Sequence, residues 1–279
     1  MVGNVNTTKM LLDKFDLRAK KGFGQNFLID ENILSKIASN ANLDKDTGVI
    51  EIGPGLGALT EHLLINSKKV LAYEIDSDMV EVLNFSLKDY DNLKINNIDF
   101  LKADLEKDMD YFSDCKCVKV VANLPYYITT AIITKLLESN IEICDFYFMV
   151  QKEVGDRLTS EPRSKDYGSL TVLMNYKAKT KVCFKVGRNC FLPAPEVESV
   201  IINVKPQKMD LGINNDDDFV KFIYGIFSQR RKTLVNNISS SLKINKDLIK
   251  ENLAKCGLKE TTRAEELDIE KIAQLYKLF

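Results

Sequence analysis

The run Gly48-Val49-Ile50-Glu51-Ile52-Gly53-Pro54-Gly55-Leu56-Gly57-Ala58-Leu59-Thr60 joins an apolar, strand-like segment to a glycine turn and then to an apolar stretch suited to a helix. Strand, glycine turn and helix amino terminus together make a cofactor cradle, because glycine admits positive φ and lets a ligand approach the backbone. Read as Gly-x-Gly-x-x-Ala, Gly53, Gly55 and Ala58 also pass for a dinucleotide fingerprint, so the motif points to a nucleotide-like cofactor without saying which. Val70-Leu71-Ala72-Tyr73-Glu74-Ile75-Asp76 supplies a second strand. Its Glu74 lies about 20 residues beyond the first glycine, where a carboxylate can bind ribose hydroxyls; a plain strand-end acid is the other reading. Residues 94–103 predict a third strand ending at Asp104, placed either to meet an adenine amino group or to cap the next turn.

The run Val118-Lys119-Val120-Val121-Ala122 predicts a fourth strand, closed by Asn123-Leu124-Pro125-Tyr126. An adenine amino group is a poor nucleophile, its lone pair being delocalised into the ring. A catalyst must accept hydrogen bonds from its two N–H groups and leave that lone pair free. The Asn123 amide oxygen can accept one, and the Leu124 carbonyl, held by the constraint Pro125 puts on its predecessor, can accept the other. Tyr126 can stack on a base drawn out of its helix. Taken alone, the tetrapeptide reads first as a strand-to-helix turn with a buried tyrosine. In an open α/β sheet ligands lie at the carboxyl ends of strands, which gathers the glycine turn, Glu74, Asp104 and Asn123 into one crevice.

Together these motifs resemble the S-adenosylmethionine-dependent methyltransferases that modify adenine amino groups. Gly24-Gln25-Asn26-Phe27-Leu28, Gln151-Lys152-Glu153-Val154, Ser164-Lys165-Asp166-Tyr167-Gly168 and Phe191-Leu192-Pro193-Ala194-Pro195-Glu196-Val197-Glu198-Ser199 narrow the resemblance to the ribosomal-RNA adenine dimethyltransferases. Phe227-Ser228-Gln229-Arg230-Arg231-Lys232-Thr233 resembles that family's carboxyl-terminal domain, so the likeness spans nearly the whole chain. It is closer to the small-subunit branch than to the antibiotic-resistance enzymes acting on large-subunit RNA, which usually carry isoleucine at the position of Leu124 and lack the Gln-Arg-Arg-Lys-Thr segment.

The resemblance implies a Rossmann-like, seven-stranded, mostly parallel α/β methyltransferase sheet whose last strand, near Val200, runs antiparallel, followed by a small all-α domain. It implies S-adenosyl-L-methionine as cofactor, held by Gln25, Asn26, Leu28, Gly53, Gly55, Gly57, Glu74, Ile75, Asp104, Leu105 and Asn123. Glu74 would sit on the ribose and Asp104 on the cofactor's adenine. Asn123, Leu124, Pro125 and Tyr126 would hold the target base, with Phe191 facing Tyr126 across it. Pro193 and Pro195 make the Phe191 loop stiff and extended, which supports a ring presented there, and a hydrophobic plug under that loop is the competing role. The implied reaction is N6,N6-dimethylation of two adjacent adenines near the 3′ end of small-subunit (16S) ribosomal RNA, in its 3′-terminal hairpin, linked to ribosome biogenesis. The rival readings are a large-subunit methylase of the resistance type and a non-catalytic RNA-binding assembly factor.

With 279 residues the chain exceeds a common single-domain length, and 45% hydrophobic content is ample for a core. A boundary is expected near Lys205-Pro206-Gln207, giving a methyltransferase domain over 1–206 and a helical domain over 207–279. No apolar segment approaches membrane-spanning length and the polar start lacks a secretory signal, so a cytoplasmic, monomeric protein without membrane contact is expected. The six cysteines, Cys115, Cys117, Cys144, Cys183, Cys190 and Cys256, are scattered, and with His62 the sole histidine no metal-ligand spacing emerges. Reduced thiols are expected, and His62 is expected on a helix surface. Methyl transfer is an in-line displacement served by positioning, and needs neither a histidine nor a covalent nucleophile.

A net charge of −1 does not favour an RNA partner, but the distribution does. Over residues 175–190, Lys177, Lys179, Lys181, Lys185 and Arg188 alternate with apolar or small residues and no acid, predicting a strand with one cationic face. Arg157, Arg163 and Lys165 are expected in a Pro-containing loop, and Lys20 and Lys21 precede the first motif. Asp217 or Asp218 is expected to cap a helix carrying Phe219, Phe222, Ile223, Ile226 and Phe227 at helical spacing, with Arg230, Arg231 and Lys232 at its end. The dipole explains one or two such cations; three leave something for RNA. Further helices are expected over 247–256 and 268–279.

Overall fold

A computed structural model of the chain describes residues 2–19 and 25–279; Lys20, Lys21 and Gly24 lie outside the described residues. Among the described residues nine strands follow in chain order: β1 Phe27–Leu28, β2 Thr47–Ile52, β3 Lys69–Tyr73, β4 Leu93–Asn96, β5 Cys117–Asn123, β6 Asp145–Gln151, β7 Ala178–Val186, β8 Phe191–Leu192 and β9 Ser199–Pro206. Seven form one sheet in the order β4-β3-β2-β5-β6-β9-β7, while β1 and β8 pair separately and antiparallel. β2 lies parallel to β3 and to β5, β3 to β4, and β5 to β6; β9 runs antiparallel to β6, as the resemblance implied.

Every residue of β2 is buried, the pattern of a central parallel strand covered on both faces. The helices Ala58–Asn66, Ser77–Ser86 and Thr129–Glu138 form the crossovers β2–β3, β3–β4 and β5–β6. Leu63, Val70, Val82, Leu83 and Val121, each fully buried, belong to one core cluster, and burying such a side chain is worth about 1.5–3 kcal/mol. β2 has β3 on one side and β5 on the other, so the strand order reverses there and a crevice opens beyond its carboxyl end.

The chain divides into two compact units, one of Met1–Gly155 with Lys181–Pro206 and one of Asp156–Thr180 with Gln207–Phe279. The single boundary expected at 206 thus meets a second unit that also takes Asp156–Thr180. The cause is packing: Tyr167, Val172 and Tyr176 belong to the same buried cluster as Phe219, Ile223 and Ile272, and the Tyr176 hydroxyl donates to Asp216 Oδ1 at 2.6 Å. The second unit is helical after Pro206, with Asp216–Ile226, Leu234–Leu242, Lys246–Lys255 and Ile269–Tyr276. Asn215, rather than Asp217 or Asp218, caps the first of these, accepting from the Asp218 amide.

Several local expectations change. The third strand ends at Asn96, short of residue 103, and a 3₁₀ turn over Phe100–Lys102 follows. Tyr176 and Lys177 end the helix Ser169–Lys177, so the alternating strand begins only at Ala178. Arg157 lies on the helix Lys152–Leu158 rather than in a loop. His62 is 5% exposed, and its Nε2 lies 3.1 Å from Glu31 Oε2, so it is a buried helix residue rather than a surface one. Cys117, which opens β5, and Cys144, just before β6, are bridged, with Cα atoms 6.1 Å apart, so not all the thiols are reduced as expected; Cys115, Cys183, Cys190 and Cys256 are free. Among the described residues no cluster of metal-binding side chains occurs, and no helix is long and apolar enough to cross a membrane.

Candidate active site

A cavity of about 310 Å³ opens at the carboxyl ends of β2, β3 and β5. Its floor is the turn after β2, where Gly53 and Gly55 adopt φ of +68° and +58°, conformations that side-chain-bearing residues rarely take. A Cβ on Gly55 would reach the Phe27 ring only at an ordinary contact distance of 3.5 Å, so it is the backbone conformation, not space, that calls for glycine here. Gly53 N–H donates to the Tyr73 carbonyl at 2.9 Å, tying this turn to the end of β3. Gly57, at φ +91°, initiates the helix Ala58–Asn66 but does not line the cavity; the space beside it is filled by Leu83 and Leu87. Its role is to make the turn rather than to touch a ligand.

Glu74 follows β3 and is 5% exposed. Its Oε2 accepts from the Gly55 amide at 3.1 Å and its Oε1 from the Asp76 amide at 2.9 Å. Burial raises its pKa, and these two amides pull the other way by solvating the carboxylate. A carboxylate offers roughly four lone-pair sites, so two remain for a ligand diol. Gln25 donates to Asp76 Oδ2 at 3.1 Å, and Gln25, Asn26 and Leu28 all line the cavity. Ile75 and Ile98, 47% and 39% exposed, add apolar surface to the cavity lining.

Asp104 and Leu105 do not line the cavity. Asp104 is exposed and caps the short helix Leu105–Asp108, accepting from the Lys107 amide at 3.2 Å, while Leu105 is buried. Because β4 stops at Asn96, the acid that reaches the cavity is Asp99, which caps the 3₁₀ turn through Leu101 N–H at 3.0 Å. The turn formers Asn96 and Asn97, just before Asp99, are the signal that places the strand end early.

Asn123 ends β5, and Asn123, Leu124, Pro125 and Tyr126 line the cavity in sequence. Leu124 N–H donates to the Met149 carbonyl at 3.1 Å, and the Pro125 carbonyl accepts from Thr129 Oγ1 at 3.0 Å and Ile128 N–H at 3.2 Å, which fixes the turn into the next helix. The Tyr126 hydroxyl lies 2.6 Å from Ser199 Oγ at the start of β9. Burial raises this phenol's pKa, so it stays protonated. Tyr127, 55% exposed, adds a second ring at the rim. Phe191 is absent from the cavity: at 3% exposure it is part of the core, paired through β8 with Leu28 of β1. The hydrophobic plug is the role its position supports. Thr8, from the helix Val5–Lys14, also lines the cavity, and nothing in its sequence context marked it.

Of the cationic residues, Lys179 and Lys181 are exposed along edge strand β7, and Lys177 is half-buried at a helix end. The helix Asp216–Ile226 closes at Phe227, so Arg230, Arg231 and Lys232 lie beyond it in the following turn, exposed, with Arg230 Nε 3.6 Å from Glu265. Dipole capping therefore does not account for them.

A switch-point crevice whose lining joins the glycine turn, the buried Glu74 carboxylate and the Asn-Leu-Pro-Tyr tetrapeptide is the arrangement of a methyltransferase fold. The model of the ribosomal RNA adenine dimethylase family matches residues 16–279, and the chain belongs to that family. It is 45% identical over 273 residues to the ribosomal RNA small subunit methyltransferase A of Bacillus pumilus (strain SAFR-032), covering 96% of this chain and 94% of that one. Among solved structures it is similar to a dimethyladenosine transferase from Plasmodium falciparum, with TM-score 0.71, 27% identity and 88% and 94% of the two chains covered. It is also similar to the 23S rRNA methyltransferase ErmE, with TM-score 0.65, 26% identity and coverage of 91% and 99%.

Proposed function

We propose that the chain transfers methyl groups from S-adenosyl-L-methionine to the N6 atoms of two adjacent adenines in the 3′-terminal hairpin of small-subunit ribosomal RNA, two per adenine, as a cytoplasmic monomer acting in ribosome biogenesis. The observation that carries this reading is the placement of Asn123, Leu124, Pro125 and Tyr126 on the same cavity wall as the Gly53 turn and Glu74. The donor supplies an electrophilic methyl group on a sulfonium. Glu74 takes the ribose hydroxyls, Gly53 and Gly55 allow close approach, Ile75 and Ile98 flank the adenine of the donor, and Asp99 receives its amino group. Asn123 Oδ1 and the Leu124 carbonyl accept from the target amine, aligning its nitrogen for in-line attack. Tyr126 holds the flipped base by stacking, worth about 1–3 kcal/mol per base.

Exposed Lys179 and Lys181, together with Arg230, Arg231 and Lys232, serve as phosphate contacts that position RNA without reading its sequence. Arg157 and Lys177 have weaker claims, being half-buried. The small-subunit target is favoured over the large-subunit one by the 45% identity to a small-subunit enzyme against 26% to the 23S enzyme. The test supplies labelled S-adenosylmethionine with purified unmethylated small and large ribosomal subunits. Label in the terminal hairpin of the small subunit is the expected result. Label in the large subunit alone would support the resistance-type activity, and label in neither an assembly factor without turnover.

A further inference from the structure

The cavity holds Glu51, Glu74 and Asp99, and among its described lining residues there is no lysine, arginine or histidine. Glu51 is the least explained of the three. It lies on β2 in the cavity wall, 1% exposed, and its Oε2 has no hydrogen-bond partner. Glu74 is solvated by two backbone amides and Asp99 caps a turn, so their charges have local support. Glu51 lies near the Thr60 hydroxyl, from the helix Ala58–Asn66, which is itself buried without a hydrogen-bond partner, and near the carboxyl of Glu74. The other titratable groups of the wall, Tyr73, Tyr126 and Tyr127, bring no positive charge. An unpaired buried carboxylate is costly, and the group relieves that cost by keeping its proton or by receiving a cation.

We propose that Glu51 is a proton-carrying counter-ion for the donor: neutral in the empty cavity, it releases its proton when the cationic cofactor enters, so that the site favours the charged donor over its demethylated product. The inference rests on the reading of this cavity as the S-adenosylmethionine site. The donor carries a sulfonium that the product lacks, and beside a buried carboxylate, in a cavity whose described lining includes acids but no base, that difference in charge weighs most. Burial first, and the neighbouring Glu74 charge after it, push the Glu51 carboxyl up to about 8, with the Thr60 hydroxyl opposing them. Near neutral pH the empty site therefore holds a proton that an incoming cation displaces. The exchange balances: one positive charge enters and one proton leaves to buffer.

The experiment is calorimetric titration of the full chain with S-adenosylmethionine and, separately, S-adenosylhomocysteine, from pH 6 to 9, in two buffers of different ionisation enthalpy. Glu51→Gln, which mimics the protonated acid in size and shape, is measured alongside. The donor's own α-amino group also titrates near pH 8, so the quantity that decides is the difference between parent and variant. For the parent, donor affinity rises by up to about tenfold per pH unit below the Glu51 pKa, with proton release on binding. In Glu51→Gln that release is lost and the preference for donor over product shrinks. Thermal melts of the ligand-free proteins give an independent readout. A raised folded-state pKa means that the unfolded chain binds fewer protons between about pH 4.5 and 8, so parent stability falls as pH rises through that window, and it falls more steeply than that of Glu51→Gln, which keeps only the contribution of groups such as Glu74. Equal proton release by parent and variant, or parallel pH–stability curves, would overturn the proposal and leave the donor site standing. A parent that binds no donor at any pH would overturn both.

Discussion

Glu74→Ala separates a ribose-binding carboxylate from one that merely braces a turn. In the folded protein the two oxygens already accept from Gly55 and Asp76 amides at 3.1 and 2.9 Å, and the group is 5% exposed. Truncation leaves those two donors unpaired and leaves the ligand's hydroxyls without an acceptor. A hydrogen bond to a charged group contributes about 1.5–3 kcal/mol, and an unsatisfied buried group costs about 1–3. For the ligand the net loss is then about 1–3 kcal/mol, or about 5- to 160-fold in Kd. For the fold the loss is smaller than the count of bonds suggests, because burial already disfavours the Glu74 charge and its removal relieves that cost. Glu74→Gln keeps one oxygen for one backbone amide and should fall between parent and alanine variant in both respects. Titration calorimetry with S-adenosylmethionine and with S-adenosylhomocysteine, alongside a melt, measures both quantities. Both ligands share the ribose, so both should weaken to the same degree. A folded alanine variant that binds either ligand with unchanged affinity refutes the assignment.

Asp99→Ala should weaken donor binding by about 1.5–3 kcal/mol, whereas Asp104→Ala should cost about 0.5–2 kcal/mol of stability through its lost cap and leave affinity alone; equilibrium titration and denaturant melts would expose the opposite pattern if the strand end is misassigned. Tyr126→Phe should lower the melting temperature, since it strands the buried Ser199 hydroxyl, yet retain most turnover, while Tyr126→Ala should lose stacking worth about 1–3 kcal/mol. Single-turnover methylation of small subunits decides this, and a Phe variant as inactive as the Ala variant would make the hydroxyl, not the ring, the functional group. Replacing Arg230 and Arg231 by glutamine should reduce the salt slope of RNA binding by about 0.7–0.9 for each phosphate that is no longer neutralised. Stability should change little, because the helix ends before them; an unchanged slope with a lowered melting temperature would return them to a structural role.

The parallel core was legible because its signals are local. An apolar β2, its positive-φ glycines and a carboxylate one strand later define a switch-point site through chain geometry alone, and each falls where the sequence put it. What escaped depended on where strands stop and on partners distant in sequence. The residues after Asn96 keep apolar side chains at intervals that suit a strand, but Asn97 donates to the Glu74 carbonyl at 2.8 Å and turns the chain away, so the acid at the cavity is five residues earlier than periodicity suggests. The resemblance implies a stacking ring at Phe191 and its proline-rich loop supports one; its pairing with Leu28, 163 positions away in the sequence, buries it instead. Tyr176 reads as the first core residue of an alternating strand, but its hydroxyl is claimed by Asp216 and its ring by Phe219, and these contacts draw the helix on to Lys177. Glu51 is the sharpest case. Its place inside the fold-defining motif makes it read as part of a strand, and only the absence of any partner for its buried Oε2 sets it apart from an ordinary core residue.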